Sequence, residues 1–446
     1  MTTTSYADVS AQLQARWPES KISPTLERIQ RLVQLLGDPQ QAYPVIHLTG
    51  TNGKTSTARM IDSLLRSAGL RTGRFTSPHL ESVRERITLD GEPISEERFV
   101  EAYEELAPYL ELVDAEFDVP LSFFEVITAM AFAVFADSPV DVAVIEVGLG
   151  GTWDCTNVAD GTVAVITPID VDHSHLLGDD PVGIAGEKAG IIKAGATAVM
   201  AQQTVEVFEV LMGRSAEVGA TIAREGLEFG VLAREVAVGG QLLRLRGLGA
   251  EYEDVFVPLH GEYQAHNAAT ALAAVEAFLG AGAQDDRLDL DMIRNGFNEV
   301  TSPGRLEVIR RSPTVLVDAA HNPHGAKATA EAVSEAFAFA PLIGVVGVMR
   351  DKDVYGVLEA YEPIMETIVC SQNSTPRAMS ARELGEIAME VFGEDRVLVE
   401  PRLDNAISEA VRLAEENSPM GSGGVLITGS VITAGEARHL LKGSKR

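Results

Sequence analysis

The chain has 446 residues, 46% of them hydrophobic, and its 36 basic and 65 acidic side chains give a formal net charge of −29. This acidic balance excludes a nonspecific nucleic-acid binder, which needs a basic face, and no apolar run of about 18 residues predicts a membrane span. Two cysteines and an N-terminus without the pattern of a secretory signal favour a cytoplasmic protein, and the length predicts two domains.

The first segment, from Tyr6 to Leu36, is predicted to be helical because its apolar residues recur at three- and four-residue spacing. Lys21-Ile22-Ser23-Pro24 interrupts the pattern and predicts a small loop beside the following strand. Gly37-Asp38-Pro39 ends the helical segment.

A glycine-rich loop then lies between a predicted strand, Val45 to Thr49, and a predicted helix that runs to Leu70. The loop reads Gly50-Thr51-Asn52-Gly53-Lys54-Thr55-Ser56. Backbone N–H groups, a helix dipole and a lysine meet there, which predicts a phosphate site. The loop is shorter than the Walker sequence, whose first glycine would fall on Leu48. A turn without function is the alternative, and the flanking strand and helix disfavour it.

The segment from Thr72 to Leu80 predicts a short strand that runs into a turn at Ser77-Pro78-His79, followed by Arg84 and Arg86. A hydroxyl, an imidazole and two arginines suit an anion or metal site. Taken alone, however, the segment fits an ordinary Ser-Pro turn with solvated charges better.

Two helices are predicted next. The helix from Ser95 to Leu112 is acidic and is expected at the surface, whereas the helix from Ser122 to Phe135 is nearly all apolar and is expected to be buried. Ser122 is its N-cap candidate, and Glu125 in the first turn is expected to complement the helix dipole.

Two predicted buried strands end in side chains that bind cations. One strand delivers Glu146 ahead of three glycines, and the next delivers Asp170, Asp172, His173 and His175. In doubly wound sheets ligands bind beyond the carboxyl ends of strands, so these residues predict a Mg²⁺ site. A lone histidine is usually structural, but this crowding favours a metal ligand. Farther on, Lys188 lies in an apolar context, where burial would lower its pKa and make it reactive.

Residues 195–260 show alternating segments without recognisable chemistry, and a helix of small residues follows Gly261. A Pro-Gly turn at residues 301–305 precedes a fresh series of strands and helices. The prediction is therefore an α/β protein with a P-loop, doubly wound, mostly parallel sheet in residues 1–300 and a smaller Rossmann-like α/β domain in residues 301–446.

Taken together, the motifs resemble the bacterial folylpolyglutamate synthase / dihydrofolate synthase family, which belongs to the Mur-ligase-like ATP-dependent amide ligases. The resemblance runs from about residue 21 to about residue 441. The segments that carry it are Gly50–Ser56, Thr76–Leu80, Arg84–Ile87, Glu146–Gly151, Asp172-His173, Glu187–Lys193, Ser302–Arg305, Asp318–Pro323 and Met349–Asp353. Tyr263 stands where the family pattern is expected to have histidine, which leaves its role open.

The resemblance implies ATP-dependent ligation of L-glutamate to dihydropteroate and to the γ-carboxyl of folylpolyglutamates through an acyl phosphate. It implies that Gly50, Thr51, Asn52, Gly53, Lys54, Thr55, Ser56, Asn267, Arg305 and Asp318 bind ATP. Catalytic roles fall to Lys54, Lys188 and His321, and metal-binding roles to Ser77, Glu146, His173 and Lys188 as a carbamate. The folate substrate would contact Lys21, Ile22, Ser23, Pro24, Ser122, Phe123, Phe124, Glu125, Trp153, Asp154 and Cys155. Two Mg²⁺ ions, a monovalent cation and a monomeric state are further expectations.

Three alternatives stay open. The enzyme could be a monofunctional folylpolyglutamate synthase. A sister ligase of cell-wall synthesis would be expected to carry an additional N-terminal domain, and only about 45 residues precede the P-loop strand. A nucleotide-dependent switch would not need a second cluster of metal ligands and lysine.

Overall fold

The computed structural model describes residues 4–18, 23–172, 174–281, 287–416, 418 and 421–443. The chain divides into two compact units. The first comprises Met1–Arg234, Leu242–Val257 and Ala265–Val300, and the second comprises Glu235–Gln241, Pro258–Gln264 and Thr301–Arg446. Within the described ranges, none of the helices combines the length and the apolar character that crossing a membrane requires.

The first unit is built on an eight-stranded sheet in the order β4-β3-β2-β5-β1-β6-β7-β8. Its strands are β1 (Val45–Thr49), β2 (Thr72–Phe75), β3 (Ile87–Leu89), β4 (Glu92–Pro93), β5 (Val142–Glu146), β6 (Gly161–Ile166), β7 (Thr197–Met200) and β8 (Thr221–Arg224). Strands β2, β5, β1, β6, β7 and β8 are parallel, and β3 and β4 form an antiparallel edge.

The helices up to residue 300 are α1 (Tyr6–Gln14), α2 (Glu27–Leu35), α3 (Lys54–Ser67), α4 (Glu96–Glu116), α5 (Phe123–Asp137), α6 (Ser174–Leu177), α7 (Pro181–Lys188), α8 (Val205–Val218), α9 (Glu262–Leu279) and α10 (Leu290–Asn298). A separate three-stranded sheet in the order β11-β10-β9 contains β9 (Gly230–Ala237), β10 (Gly240–Arg246) and β11 (Glu251–Val257).

Strand β1 lies at the point where the chain direction across the sheet reverses. Its neighbours are β5 on one side and β6 on the other, with Leu48 in register with Glu146 and Thr49 with Ile166. Because these strands are parallel, their carboxyl ends meet at one edge, which is where ligands bind in doubly wound sheets. The predicted doubly wound, mostly parallel sheet is confirmed.

The helices on this sheet follow their sequence patterns with one difference. Ser122 caps α5 through a capping box with Glu125, as its position predicts, and α5 is almost entirely buried. Helix α4 is acidic but not purely a surface element, because it buries one face that includes Phe99, Leu106 and Leu110. The acidic residues lie between these apolar ones, as expected for an amphipathic helix.

The second unit contains a six-stranded sheet in the order β12-β13-β17-β14-β15-β16. Its strands are β12 (Glu307–Arg311), β13 (Thr314–Val317), β14 (Leu342–Val346), β15 (Thr367–Cys370), β16 (Val397–Val399) and β17 (Gly424–Thr428). Its helices are α11 (Pro323–Ala336), α12 (Val354–Tyr361), α13 (Ala381–Phe392), α14 (Leu403–Glu416) and α15 (Val431–Gly443). Apart from the antiparallel β12, the strands are parallel, which confirms the predicted second α/β fold.

Candidate active site

The predicted phosphate loop connects β1 to α3 in a conformation that its two glycines make possible. Gly50 has φ 144° and Gly53 has φ 87°, values that favour residues without a side chain. A Cβ on Gly50 would stand 1.9 Å from Thr167 Oγ1, and one on Gly53 would stand 2.6 Å from the side-chain oxygen of Asn267. Both positions therefore require glycine, and Asn267, a predicted ATP residue, lies against this loop.

Two lysine side chains converge on the same carbonyl of the loop. The Lys54 ammonium donates to the carbonyls of Gly50 (3.0 Å) and Thr51 (3.1 Å), and the Lys188 ammonium donates to Gly50 at 2.8 Å. Lys188, at the end of α7, is only 4% exposed. Burial, followed by the charge of Lys54, lowers the pKa of Lys188 to about 7. A sizeable fraction of Lys188 is therefore a neutral amine near pH 7, as the sequence predicted.

Three residues from different elements meet at the carboxyl end of β5. The Thr55 hydroxyl donates to the two carboxylate oxygens of Glu146 at 2.9 and 3.0 Å, and the Ser77 backbone N–H donates at 3.3 Å. Glu146 is 1% exposed. The sequence predicted a donor or cation for this carboxylate, and the structure supplies donors.

The fit of Mg²⁺ to this edge rests on the chemistry of its donors. A carboxylate beside hydroxyl-bearing residues is the set of hard oxygen ligands that Mg²⁺ prefers. His173, the third predicted ligand, lies outside the described residues. Across the part of the chain that the structure describes, no group of three or more His, Cys, Asp or Glu side chains is close enough to hold a metal ion. The metal-binding roles of Ser77, Glu146 and His173 accordingly stay predictions.

The loop after β5 carries the predicted substrate residues Trp153, Asp154 and Cys155. Glu187, next to Lys188, accepts the Trp153 N–H at 3.2 Å. The Cys155 thiol lies 3.3 Å from the Thr128 hydroxyl on α5 and 3.8 Å from the Phe124 carbonyl. The structure thus brings Cys155 and Phe124 together.

A chain of buried polar side chains supports this loop, and the sequence did not predict it. Asp154 accepts the Leu149 N–H at 2.9 Å and the Thr156 hydroxyl at 2.5 Å, and Thr156 Oγ1 lies 2.9 Å from His47 Nε2. Burial, followed by the charge of Lys193, lowers the pKa of His47 to about 3, so this ring is neutral. Burial raises the pKa of Asp154. These side chains hold the loop in place, and Asp154, one of the predicted substrate residues, is itself part of this support.

A buried ion pair joins the predicted substrate segments at residues 23–24 and 122–125. Arg28 Nε donates to Glu125 at 3.0 Å, and the two side chains are 7% and 6% exposed. The same guanidinium donates to the hydroxyl and the carbonyl of Ser23, at 3.3 and 3.2 Å. Glu125 is therefore more than a dipole partner for its helix. Lys21 and Ile22, which were predicted beside Ser23, lie outside the described residues.

The segment after β2 contains a buried cation, Arg86, although its sequence context predicted a solvated side chain. Arg86 is 3% exposed, its Nε donates to His79 Nδ1 at 2.9 Å, and its guanidinium lies 4.9 Å from the centre of the Phe123 ring. Because Nδ1 accepts this bond, the neutral His79 ring carries its proton on Nε2. The alternative of solvated charges in an ordinary turn is wrong for Arg86.

Arg305, Asp318 and His321 lie in the second unit. Arg305 Nη1 donates to the Gly304 carbonyl at 3.2 Å. The Asp318 carboxylate accepts the Leu306 N–H, the Ala320 N–H and the Thr329 hydroxyl, each at 2.9 Å. His321 Nδ1 lies 3.0 Å from the Ala319 carbonyl, which can only accept, so Nδ1 carries a proton. The geometry leaves their nucleotide and catalytic roles as predictions.

Tyr263 packs against the hydrophobic core of the second unit. Burial, followed by the charge of Asp318, raises the pKa of its phenol. Its position therefore indicates a packing role.

Comparison with known proteins places the chain among ligases. A family model described as "Mur ligase, glutamate ligase domain" matches residues 304–431. The dihydrofolate synthase/folylpolyglutamate synthase of Mycobacterium tuberculosis is 51% identical over 457 aligned positions, which cover 98% of this chain and 94% of the relative. The crystal structure of M. tuberculosis folylpolyglutamate synthase complexed with ADP and AMPPCP matches with a TM-score of 0.93 at 51% identity, over 98% of each chain. Escherichia coli FolC in complex with DHPP and ADP matches with a TM-score of 0.85 at 28% identity, over 100% of this chain and 99% of that chain.

Proposed function

The chain belongs to the dihydrofolate synthase/folylpolyglutamate synthase family of Mur-type ATP-dependent amide ligases, and on that premise we propose that it catalyses both reactions in the family name. It joins L-glutamate to dihydropteroate, which forms dihydrofolate, and to the γ-carboxyl of folylpolyglutamates. The observation that carries the proposal is the convergence of Lys54, Lys188 and Glu146 around one phosphate loop. The alignment with the M. tuberculosis relative, which covers 98% of this chain, supports it.

The chemistry follows from the low reactivity of a carboxylate. An oxygen of the substrate carboxylate takes the γ-phosphoryl group of ATP, and the bond between that group and ADP breaks. The nitrogen of L-glutamate then attacks the acyl carbon, loses a proton, and expels phosphate as the C–O bond breaks. Positioning and charge neutralisation dominate such transfers. Lys54 and the N-terminal N–H groups of α3 provide both at the phosphates.

We assign the binding of Mg²⁺ to Ser77, Glu146 and His173, at the carboxyl end of β5, and we call this place the metal edge. Thr55 lies beside the phosphates. Mg²⁺ bound there would neutralise charge on the transferred phosphoryl group. The hydrogen bonds from Thr55 and Ser77 fix the orientation of the Glu146 carboxylate. Two oxygen atoms in a fixed orientation at the end of a buried strand support this assignment.

Lys188 is assigned to a carbamate that would ligate a second Mg²⁺. Only a neutral amine reacts with CO₂; the nitrogen forms a bond to carbon and releases a proton. A pKa of about 7 supplies that neutral amine at physiological pH. The reaction replaces a positive charge by a negative one beside Lys54, which removes the repulsion between the two ammonium groups.

The remaining roles complete the proposal. Residues 1–300 act as the ATP-binding domain and residues 301–446 as the smaller ligase domain. Arg305 and Asp318 are assigned to nucleotide binding, and His321 to catalysis. The folate substrate binds along the segments that contain Ser23, Phe124 and Asp154. We further infer that the enzyme is a cytoplasmic monomer.

The experiment that tests the function measures phosphate release from ATP with dihydropteroate and with a monoglutamate folate in parallel, each with and without L-glutamate. We expect release with either acceptor only when L-glutamate is present, and a product heavier by one glutamyl residue. Lys54→Ala is the matched control for contaminating ATPase. Release that is indifferent to both acceptors refutes the proposal, and release with the folate alone identifies a monofunctional folylpolyglutamate synthase.

A further inference from the structure

One face of α3 carries polar side chains over the strands that form the metal edge. Thr55, Arg59, Asp62 and Arg66 follow one another at four-, three- and four-residue spacing, so they share one side of the helix. Helix α3 packs on β2 and β5. Thr55, at the start of this face, contacts Glu146 at the end of β5. Arg59 is one turn farther along the same face.

The carboxylates around Arg59 are already engaged by other groups. Asp62 accepts the Thr72 hydroxyl at 2.6 Å and the Arg74 guanidinium at 2.7 Å. Glu85 accepts three backbone N–H groups of the turn that follows β2, at 2.8 to 2.9 Å. Glu146 accepts Thr55 and Ser77, as described above. None of these three carboxylates accepts a hydrogen bond from Arg59, although Asp62, Glu85 and Glu146 all lie close enough to affect its charge.

Arg59 therefore presents a cation without a protein acceptor. Among the residues that the structure describes, its guanidinium makes no hydrogen bond and no ion pair. Burial, followed by the charge of Arg74, lowers its pKa to about 9, so it stays protonated at neutral pH. The residue as a whole is neither fully buried nor fully exposed. A guanidinium has five N–H donors, and leaving them unsatisfied in a partly buried place is costly.

We propose that Arg59 binds the reacting carboxylate of the acyl substrate, the group that receives the phosphoryl. The inference rests on the proposed function. Lys54 and the first N–H groups of α3 serve the phosphates of the nucleotide, whereas Arg59 lies a turn beyond them, on the side of Glu146 and Ser77. A carboxylate that arrives there meets the negative charge of Glu146, and a guanidinium offsets that repulsion while binding both oxygens in its planar fork.

The test compares two ligands that differ only at the reacting carboxyl group, which is a charged carboxylate in one and a neutral amide in the other. The dissociation constants of dihydropteroate and of its carboxamide are measured with AMPPCP and Mg²⁺ present, for the wild type and for Arg59→Met, Arg59→Lys and Arg66→Met. Arg66 is the matched control because it lies on the same face two turns farther on, 3.5 Å from Asp62. We expect Arg59→Met to weaken dihydropteroate binding by about 10- to 100-fold, the range for a charge-assisted hydrogen bond, and to change carboxamide binding by less than about threefold. Arg66→Met should change neither.

The outcomes separate the possible roles. Equal loss for both ligands, or a loss confined to AMPPCP, overturns the assignment to the substrate carboxylate. If Arg59→Met fails to fold by circular dichroism, Arg59→Lys decides, because lysine keeps the charge and loses the fork: an unchanged preference for carboxylate over carboxamide overturns the proposal, and a reduced one supports it. A wild-type enzyme that neither binds dihydropteroate nor ligates glutamate to it refutes the proposed function itself, whatever the Arg59 variants do.

Discussion

Replacing Lys188 by methionine should change how the stability of the protein depends on pH. The pKa of this lysine falls from its ordinary value of 10.5 to about 7 in the folded chain. Since a tenfold change in a proton equilibrium is about 1.4 kcal/mol, the folded state disfavours the charged ammonium by about 5 kcal/mol. The lysine is 4% exposed, so solvent screens little of this cost.

Proton linkage determines whether the free energy of unfolding rises or falls with pH. Between about pH 7 and pH 10.5 the unfolded chain holds a proton on Lys188 that the folded chain releases, so the free energy of unfolding of the wild type rises with pH. Below about pH 7 both states are charged and the full cost is present; it falls steadily as the pH rises from about 7 and has gone above the unfolded pKa of 10.5. Lys188→Met removes this contribution. Relative to the wild type, the variant should be most stabilised at low pH and should lose that advantage by about 1.4 kcal/mol per pH unit in this window.

The assay is urea unfolding from about pH 6.5 to about pH 9.5, in CO₂-free buffer with EDTA so that no carbamate forms. The chain's two tryptophans, Trp17 and Trp153, lie in the first unit, so their fluorescence reports its unfolding. Lys193→Met is the matched control: Lys193 lies five residues farther along, and its ammonium donates to the Asp160 carboxylate at 2.8 Å. Parallel curves for the wild type and Lys188→Met would refute the reasoning, as would an equal pH slope in Lys193→Met.

Four further outcomes are expected. Lys54→Ala should abolish phosphate release by removing charge at the phosphates; near-normal turnover would exclude that role. Glu146→Ala should raise the Mg²⁺ concentration needed for half-maximal activity at least about tenfold, and an unchanged Mg²⁺ titration would remove it from the ligands. Intact-mass analysis in bicarbonate should show one added CO₂ that is absent from Lys188→Met; full activity of an unmodified chain would rule out the carbamate. Arg28→Met should destabilise the first unit by about 3–5 kcal/mol through the unpaired Glu125, whereas Arg28→Met with Glu125→Leu should recover most of it; a double variant no better than the single one would contradict this pairing.

The parts of the site that the sequence predicted are those set by local pattern. A strand, two glycines and a helix start determine the loop at Gly50, and parallel strands bring Glu146 to the same edge as that loop. The family resemblance, not the local pattern, grouped Ser77 with Glu146; in the structure β2 is the parallel neighbour of β5, and the Ser77 N–H donates to Glu146. The low pKa of Lys188 was predicted from its apolar context alone.

The parts that the sequence did not predict depend on which side chains face each other across separate elements. Arg28 and Glu125 are 97 positions apart, and their pairing needs α2 and α5 to pack together. Arg86 has the sequence context of a solvated turn, yet Phe123 covers its guanidinium. Helical spacing could have indicated that Arg59 shares a face with Thr55, but that the neighbouring carboxylates are already engaged appears only in three dimensions.

The net charge of −29 makes the cations near the phosphate loop important for substrate binding. All the proposed substrates are anions, and the overall field of the protein repels them. Binding must therefore depend on cations that lie close to the ligand and are shielded from the acidic surface. Lys54 donates to the Gly50 carbonyl of the phosphate loop, and the guanidinium of Arg59, one turn farther along α3, has no acceptor among the residues that the structure describes. Burial, followed by a neighbouring positive charge, lowers the pKa values of Lys188 and Arg59, and arrival of a phosphate or carboxylate would offset the repulsion between these charges. The positive charges of Lys54 and Arg59 therefore favour the binding of anions at the phosphate loop.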